Sequence, residues 1–117
     1  MKIFGLVAAC LFAVLTVGTA SAEFKRITNE ADFRANVVGK TLWLDKSFFT
    51  IRRRGKLDGT FDGVKVKGVW EWRDGYWCRT LTEPRQNTDC QHWEQDGKNF
   101  RVTREKGKGR GFTYKRR

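Results

Sequence analysis

Cys78, Cys90 and His92 stand within fifteen residues of one another and carry the groups from which metal binding, thiol exchange or covalent catalysis is usually built. Each of those chemistries asks for a spacing that is missing here. Zinc takes four ligands, or three and a water, at short recurring intervals, and these two cysteines with the chain's single histidine reproduce none of them. A thioredoxin-type pair has two residues between its sulfurs, whereas eleven separate Cys78 from Cys90. A Cys–His nucleophile needs a free thiolate, and no Gly-x-Ser-x-Gly or similar motif offers a serine in its place. His92 with Asp89 or Glu94 is the one acid–base couple the region could supply. A disulfide brace between Cys78 and Cys90 fits better, because closing a loop of this length stabilises a small fold by about 3 kcal/mol on chain-entropy grounds. No catalytic residue, metal ligand or cofactor is assigned.

A brace requires an oxidising compartment, and the N-terminus points to one. Lys2 is followed by an almost wholly apolar run, Ile3 to Val17, and by Thr19-Ala20-Ser21-Ala22, the small-x-small pattern that signal peptidase cleaves. Residues 1–22 are therefore expected to be a signal peptide, leaving residues 23–117 as a single periplasmic or secreted domain. The apolar run is shorter than the roughly 20 residues that span a bilayer, so no transmembrane segment is expected after cleavage. A lipobox at Val7-Ala8-Ala9-Cys10 competes poorly, since cleavage there would leave Leu11 to Val17 as an apolar stub. A mature chain of 95 residues makes one domain with a marginal core, for which a covalent staple matters.

The mature domain is strongly basic, and the charge is uneven. Loss of Lys2 takes the formal charge from +11 to +10, and +7 of this lies in the C-terminal segment 101–117. Arg104, Lys106, Lys108 and Arg110 of that segment are candidate binding residues, as are Arg52, Arg53, Arg54 and Lys56 at a predicted hairpin tip. Should the tip fold toward the C-terminus, the two groups would make one positive face. Such charge attracts polyanions without choosing among nucleic acid, anionic lipid and lipopolysaccharide phosphates. Trp77 and Arg79 extend the candidate set: an indole exposed beside a guanidinium stacks a base, a sugar or a lipid headgroup. Gly107-Lys108-Gly109-Arg110-Gly111 matches neither a dinucleotide fingerprint nor a P-loop and is read as a mobile loop before a last strand, Phe112 to Lys115.

The elements that hold these residues follow from periodicity. Thr28 to Gly39 reads as one short helix, with Thr28 or Asn29 as N-cap, Phe33 and Val37 on its buried side and Gly39 as its stop. Beyond Gly39 the period becomes two: Leu42/Leu44, Phe49/Ile51, Val64/Val66, Trp70/Trp72 and Phe100/Val102 each place two apolar side chains on one face. Asp58-Gly59, Asp62-Gly63, Asp74-Gly75 and Asp96-Gly97 are hairpin signals, because both residues tolerate positive φ in a tight turn. The expected fold is mainly β: an antiparallel meander of six to eight short strands, curled or barrel-like, with the helix over one face or mouth. Trp70 and Trp72 are expected to fill its core, with indoles packed on the disulfide.

The block Gly68-Val69-Trp70-Glu71-Trp72-Arg73-Asp74-Gly75-Tyr76-Trp77-Cys78-Arg79, followed by Asp89-Cys90-Gln91, resembles a family of small exported alphaproteobacterial proteins. Phe24 to Thr28 and Val37 to Lys40 extend the likeness over most of the mature domain. The resemblance implies export and little about activity. Some members carry the label dihydrodipicolinate reductase, which this sequence does not support: it lacks the glycine fingerprint and is too short for a dinucleotide domain plus a catalytic domain. The leading expectation is a non-catalytic envelope module for an anionic partner. The alternatives are a small enzyme built on His92 and a neighbouring carboxylate, and a protein-binding or inhibitor module that inserts the Arg52–Lys56 tip.

Overall fold

The computed structural model describes Glu23–Arg117; the expected signal peptide lies outside the described residues. Alternating apolar positions become nine strands, β1 (Lys25–Arg26), β2 (Thr41–Leu44), β3 (Ser47–Ile51), β4 (Lys56–Phe61), β5 (Val64–Arg73), β6 (Tyr76–Glu83), β7 (Asn87–Asp96), β8 (Asn99–Thr103) and β9 (Gly111–Arg116). Strands β2 to β9 run as an up-and-down meander in which every neighbour is antiparallel. Pairing of β9 with both β8 and β2 closes the sheet into an eight-stranded barrel. The two-residue β1 adds to the free edge of β7 through Lys25↔Gln95 and Arg26↔Glu94.

The side chains singled out by period two point inward together. Leu42, Phe49, Ile51, Val66, Trp70, Phe100 and Val102 are all buried in the barrel core. Three of the Asp-Gly pairs make the expected hairpin turns; at Asp62-Gly63 and Asp74-Gly75 both residues carry positive φ, 48° and 80°, 52° and 84°. Asp58-Gly59 differs, since it lies inside β4. Glycine is needed there because β3 passes so close that a Cβ would run into the Phe48 carbonyl oxygen.

Helix α1 (Glu30–Asn36) begins at Asn29, whose Oδ1 accepts from the Asp32 N–H at 2.9 Å, and Gly39 at φ 81° turns the chain away beyond it. Its fully buried residue Phe33 meets Trp70, Trp72, Trp77 and Trp93, with ring centroids 5.1 to 6.1 Å apart. Burying a phenylalanine stabilises the fold by about 1.5–3 kcal/mol, so α1 is a plug whose removal would open that end. Arg34 Nη1 donates to the Arg53 carbonyl and Arg116 Nη1 to the Asn36 carbonyl, tying α1 to the β3–β4 tip and to β9.

Cys78 and Cys90 are bonded and sit directly opposite one another on β6 and β7. The expectation of indoles stacked on this disulfide is corrected by the register. Trp72 pairs with Trp77 across the two-residue turn, so both indoles face inward while Cys78, opposite Glu71, faces the outer wall. The brace thus clamps the sheet from outside. A second short element, α2 (Arg104–Gly107), joins β8 to β9 and rests against β7.

Candidate functional site

In an up-and-down barrel successive turns alternate between the two ends. The β3–β4, β5–β6 and β7–β8 turns share the end plugged by α1; the β2–β3, β4–β5, β6–β7 and β8–β9 connections surround the other. That second end opens into a cavity of about 470 Å³, within the range of roughly 300–1,000 Å³ typical of small-molecule sites.

Its two sides differ in chemistry. Phe49, Leu57, Phe61, Val64 and Val66, from β3 to β5, form an apolar wall. Arg79, Gln91 and Arg104, from β6, β7 and α2, form a polar wall facing it, above Trp77 as floor and beside Tyr114 of β9. Asp89 stands behind this wall, opposite Arg79 in the ladder and one step beyond the Cys78↔Cys90 pair. Only 7% exposed, it accepts from Gln91 Nε2 at 2.8 Å, the Glu105 N–H at 3.0 Å and Arg104 Nε at 3.3 Å. Those bonds hold a turn whose Glu105 and Lys106 both have left-handed φ, 54° and 55°, conformations that side-chain-bearing residues rarely adopt. Further bonds, Gly109 N–H to the Arg104 carbonyl and Arg104 N–H to the Arg110 carbonyl, join the Gly-Lys-Gly-Arg-Gly stretch to the same turn before β9 begins.

Arg79 is held by Asn87, donating from Nη1 to its carbonyl at 3.1 Å and its Oδ1 at 2.8 Å. Arg104 donates from Nε to Asp89, and both arginines line the cavity. Burial pushes the Arg79 guanidinium below its ordinary value; Arg104 adds to that and Asp89 opposes it. Burial also pushes the Tyr114 hydroxyl up to about 12, against the opposing pull of Arg79 and Arg104, so it is a neutral donor at physiological pH.

Of the residues proposed from sequence, Trp77, Arg79 and Arg104 meet in this cavity. Trp77 does so as a core residue: it is 2% exposed, packed on Phe33 and Trp93, and is not the exposed stacking surface considered for it. Arg110 lies at the rim with its guanidinium 5.1 Å from the Phe112 ring, and Lys106 Nζ lies 5.6 Å from the Tyr76 ring on the outer wall. Lys108 is exposed. Arg52, Arg53, Arg54 and Lys56 occupy the opposite, plugged end, so the two basic groups do not merge into one face. There Arg52 pairs with Asp58, holding that carboxyl below its usual range, and its carbonyl takes the Trp70 indole N–H at 2.9 Å.

His92 is not among the residues lining the cavity. It sits on the outer wall beneath Gly107, with Nε2 3.2 Å from Glu94 Oε1, and Glu94 is shared with Arg101. Among the described residues no group of three or more His, Cys, Asp or Glu is placed to hold a metal ion. Nor is any helix there long and apolar enough to cross a membrane.

Gln91, Tyr114 and the role of Asp89 escaped sequence reasoning, although part of the signal was present. A two-residue Asp74-Gly75 turn forces Trp72 opposite Trp77, and hence Trp70 opposite Arg79. No protein-family model matches the chain, and no curated protein or solved structure matches it. Its functional reading rests on the cavity.

Proposed function

We propose that the domain is a non-catalytic binding module, exported to an oxidising compartment, that takes a small, partly apolar anionic molecule into the open mouth of its barrel. One observation carries this reading: a cavity of about 470 Å³ walled by aliphatic and aromatic side chains on one side and by two arginines on the other. Apolar pockets with a few convergent polar groups are the usual form of ligand sites. The bonded Cys78–Cys90 pair supports an oxidising location, since such bonds are rare in reducing compartments. The alternatives gain less. His92 is on the outer wall and lines none of the three cavities among the described residues, and the Arg52–Lys56 tip is tied down by Asp58, Trp70 and α1.

Leu81→Trp, which would fill the cavity, tests the proposal. The mature protein should bind a neutral apolar dye such as Nile red saturably at one site, and the variant should lose that binding while keeping its circular dichroism and melting temperature. Equal dye binding by both proteins would refute it. A second reading has its own observation: Arg52, Lys56, Lys65 and Lys67 line a shallow outer groove of about 710 Å³ across β4 and β5. A polyanion, nucleic acid included, would bind there with an affinity that falls steeply with salt, and ionic-strength independence would remove that option.

A further inference from the structure

The charges around the cavity can be counted, and the count restricts the ligand. Arg79 and Arg104 contribute two positive charges, and buried Asp89, bonded to Arg104, cancels one of them. Of the other charges nearby, Asp62 lines the cavity at its exposed rim, where water screens it, and exposed Arg110 of opposite sign lies in the adjoining surface groove. The two guanidiniums share one carboxylate, so the group keeps one net positive charge, and burial weakens the hold of Arg79 on its proton. An excess charge in a partly buried site is costly, so this wall is complementary to a single negative charge.

Resting on the reading just proposed, we infer that the ligand is a singly charged carboxylate on a compact apolar body, anchored by Arg79, with Asp89 as the residue that sets its charge. Two kinds of positioning separate the arginines. Arg79 projects from a strand braced by the adjacent disulfide and is fixed by Asn87. Arg104 belongs to a left-handed turn that Asp89 pins through the Glu105 N–H. A planar carboxylate matches the fork of a guanidinium, and the apolar wall of Phe49, Leu57, Phe61 and Val66 stands opposite to receive the body. A doubly charged phosphate ester would carry one charge more than the wall can compensate. An alcohol would leave the Arg79 charge unmet. Asp89 therefore acts as a positioning and selectivity residue, since its carboxylate both holds the turn and lowers the local charge from two to one.

Decanoate, decanol and decyl phosphate, competed against Nile red on the mature oxidised protein at mildly alkaline pH, test the inference. Decanoate is expected to bind on the order of ten- to a hundredfold tighter than decanol, the usual weight of a charge-assisted hydrogen bond, and tighter than decyl phosphate. Arg79→Met should abolish the advantage of decanoate over decanol, read as the ratio of the two affinities within the variant. Asp89→Asn, which keeps the shape but replaces one acceptor oxygen by an NH2 group that faces donors, should reverse the order of decanoate and decyl phosphate, a change that loosening of the turn alone would not produce. Dye binding with decanol equal to decanoate would overturn the inference and leave the cavity reading standing. Absence of binding by the dye and by all three competitors would overturn both. Asp89→Asn with the wild-type order of anions would reject the charge-setting role.

Discussion

The two ends of the barrel are built from the same alternating strands and serve opposite purposes. At the plugged end Phe33 meets four tryptophans; Arg34 pairs with Glu30 and the Arg53 carbonyl, Trp70 Nε1 with the Arg52 carbonyl and Arg116 with the Asn36 carbonyl, while the buried indole N–H groups of Trp77 and Trp93 have no partner among the described residues. At the open end two arginines and the neutral Tyr114 hydroxyl border a cavity, and Asp89 pins the β8–β9 connection, whose backbone takes left-handed conformations. Aromatic packing is concentrated at one end and the cavity at the other. The disulfide lies between them, on the ladder that carries Trp77 toward the plug and Arg79 toward the mouth.

The contrast can be broken most forcefully at the plug. Phe33→Ala should cost about 3–5 kcal/mol, as removal of a fully buried phenylalanine does, and lower the denaturation midpoint of a chain this small severely. Next in size is the brace. Replacing both Cys78 and Cys90 by serine should destabilise the domain by about 3 kcal/mol, seen as an earlier urea midpoint for the variant and as no further change when reductant is added to it. Wild-type protein should shift with reductant, and failure to shift would show that the staple carries no stability.

The mouth should respond differently. Arg79→Met is expected to leave the midpoint within about 1 kcal/mol of wild type, because loss of a buried charge offsets loss of its bonds. The same change should raise the Tyr114 hydroxyl above its value of about 12, since Arg79 is among the groups that hold it down. Tyrosinate absorbance against pH measures this directly. Tyr114 is raised in the fold relative to its ordinary value of 10.0. Its contribution is therefore complete below that value and is lost as pH climbs toward about 12. The smallest effect concerns the outer wall. The guanidinium of Arg101, and then His92, hold the Glu94 carboxyl below its ordinary value. Its contribution is present above the unfolded value of 4.5 and disappears as pH falls through the lower folded value. Arg101→Ala should lower stability by no more than about 1 kcal/mol at neutral pH, as partly exposed ion pairs do, with the difference from wild type fading as Glu94 is protonated in acid.

Much of the molecule was readable from local signals. Asn29, Phe33, Val37 and Gly39 announce α1, and the paired apolar positions from Leu42 to Val102 announce strands, because capping, positive φ and period two act over a few residues. The misreadings arose where a local rule met a distant chain. Asp58-Gly59 has turn chemistry but is kept in β4 by the close passage of Phe48 on β3. Trp77 is surface or core depending on which neighbour fixes its face, and the register with Trp72 decided for core.

Residue order and composition were enough to specify the secondary-structure rhythm, the cysteine pairing and the excess of basic charge, since each depends on short-range chemistry or simple counting. The cavity, the alignment of Arg79 with Arg104 and Asp89, and the separation of the two basic groups to opposite ends came from barrel closure. Closure joins β9 to β2 and folds α2 onto β7, pairings between segments far apart in the chain whose register depends on the packing of every strand between them.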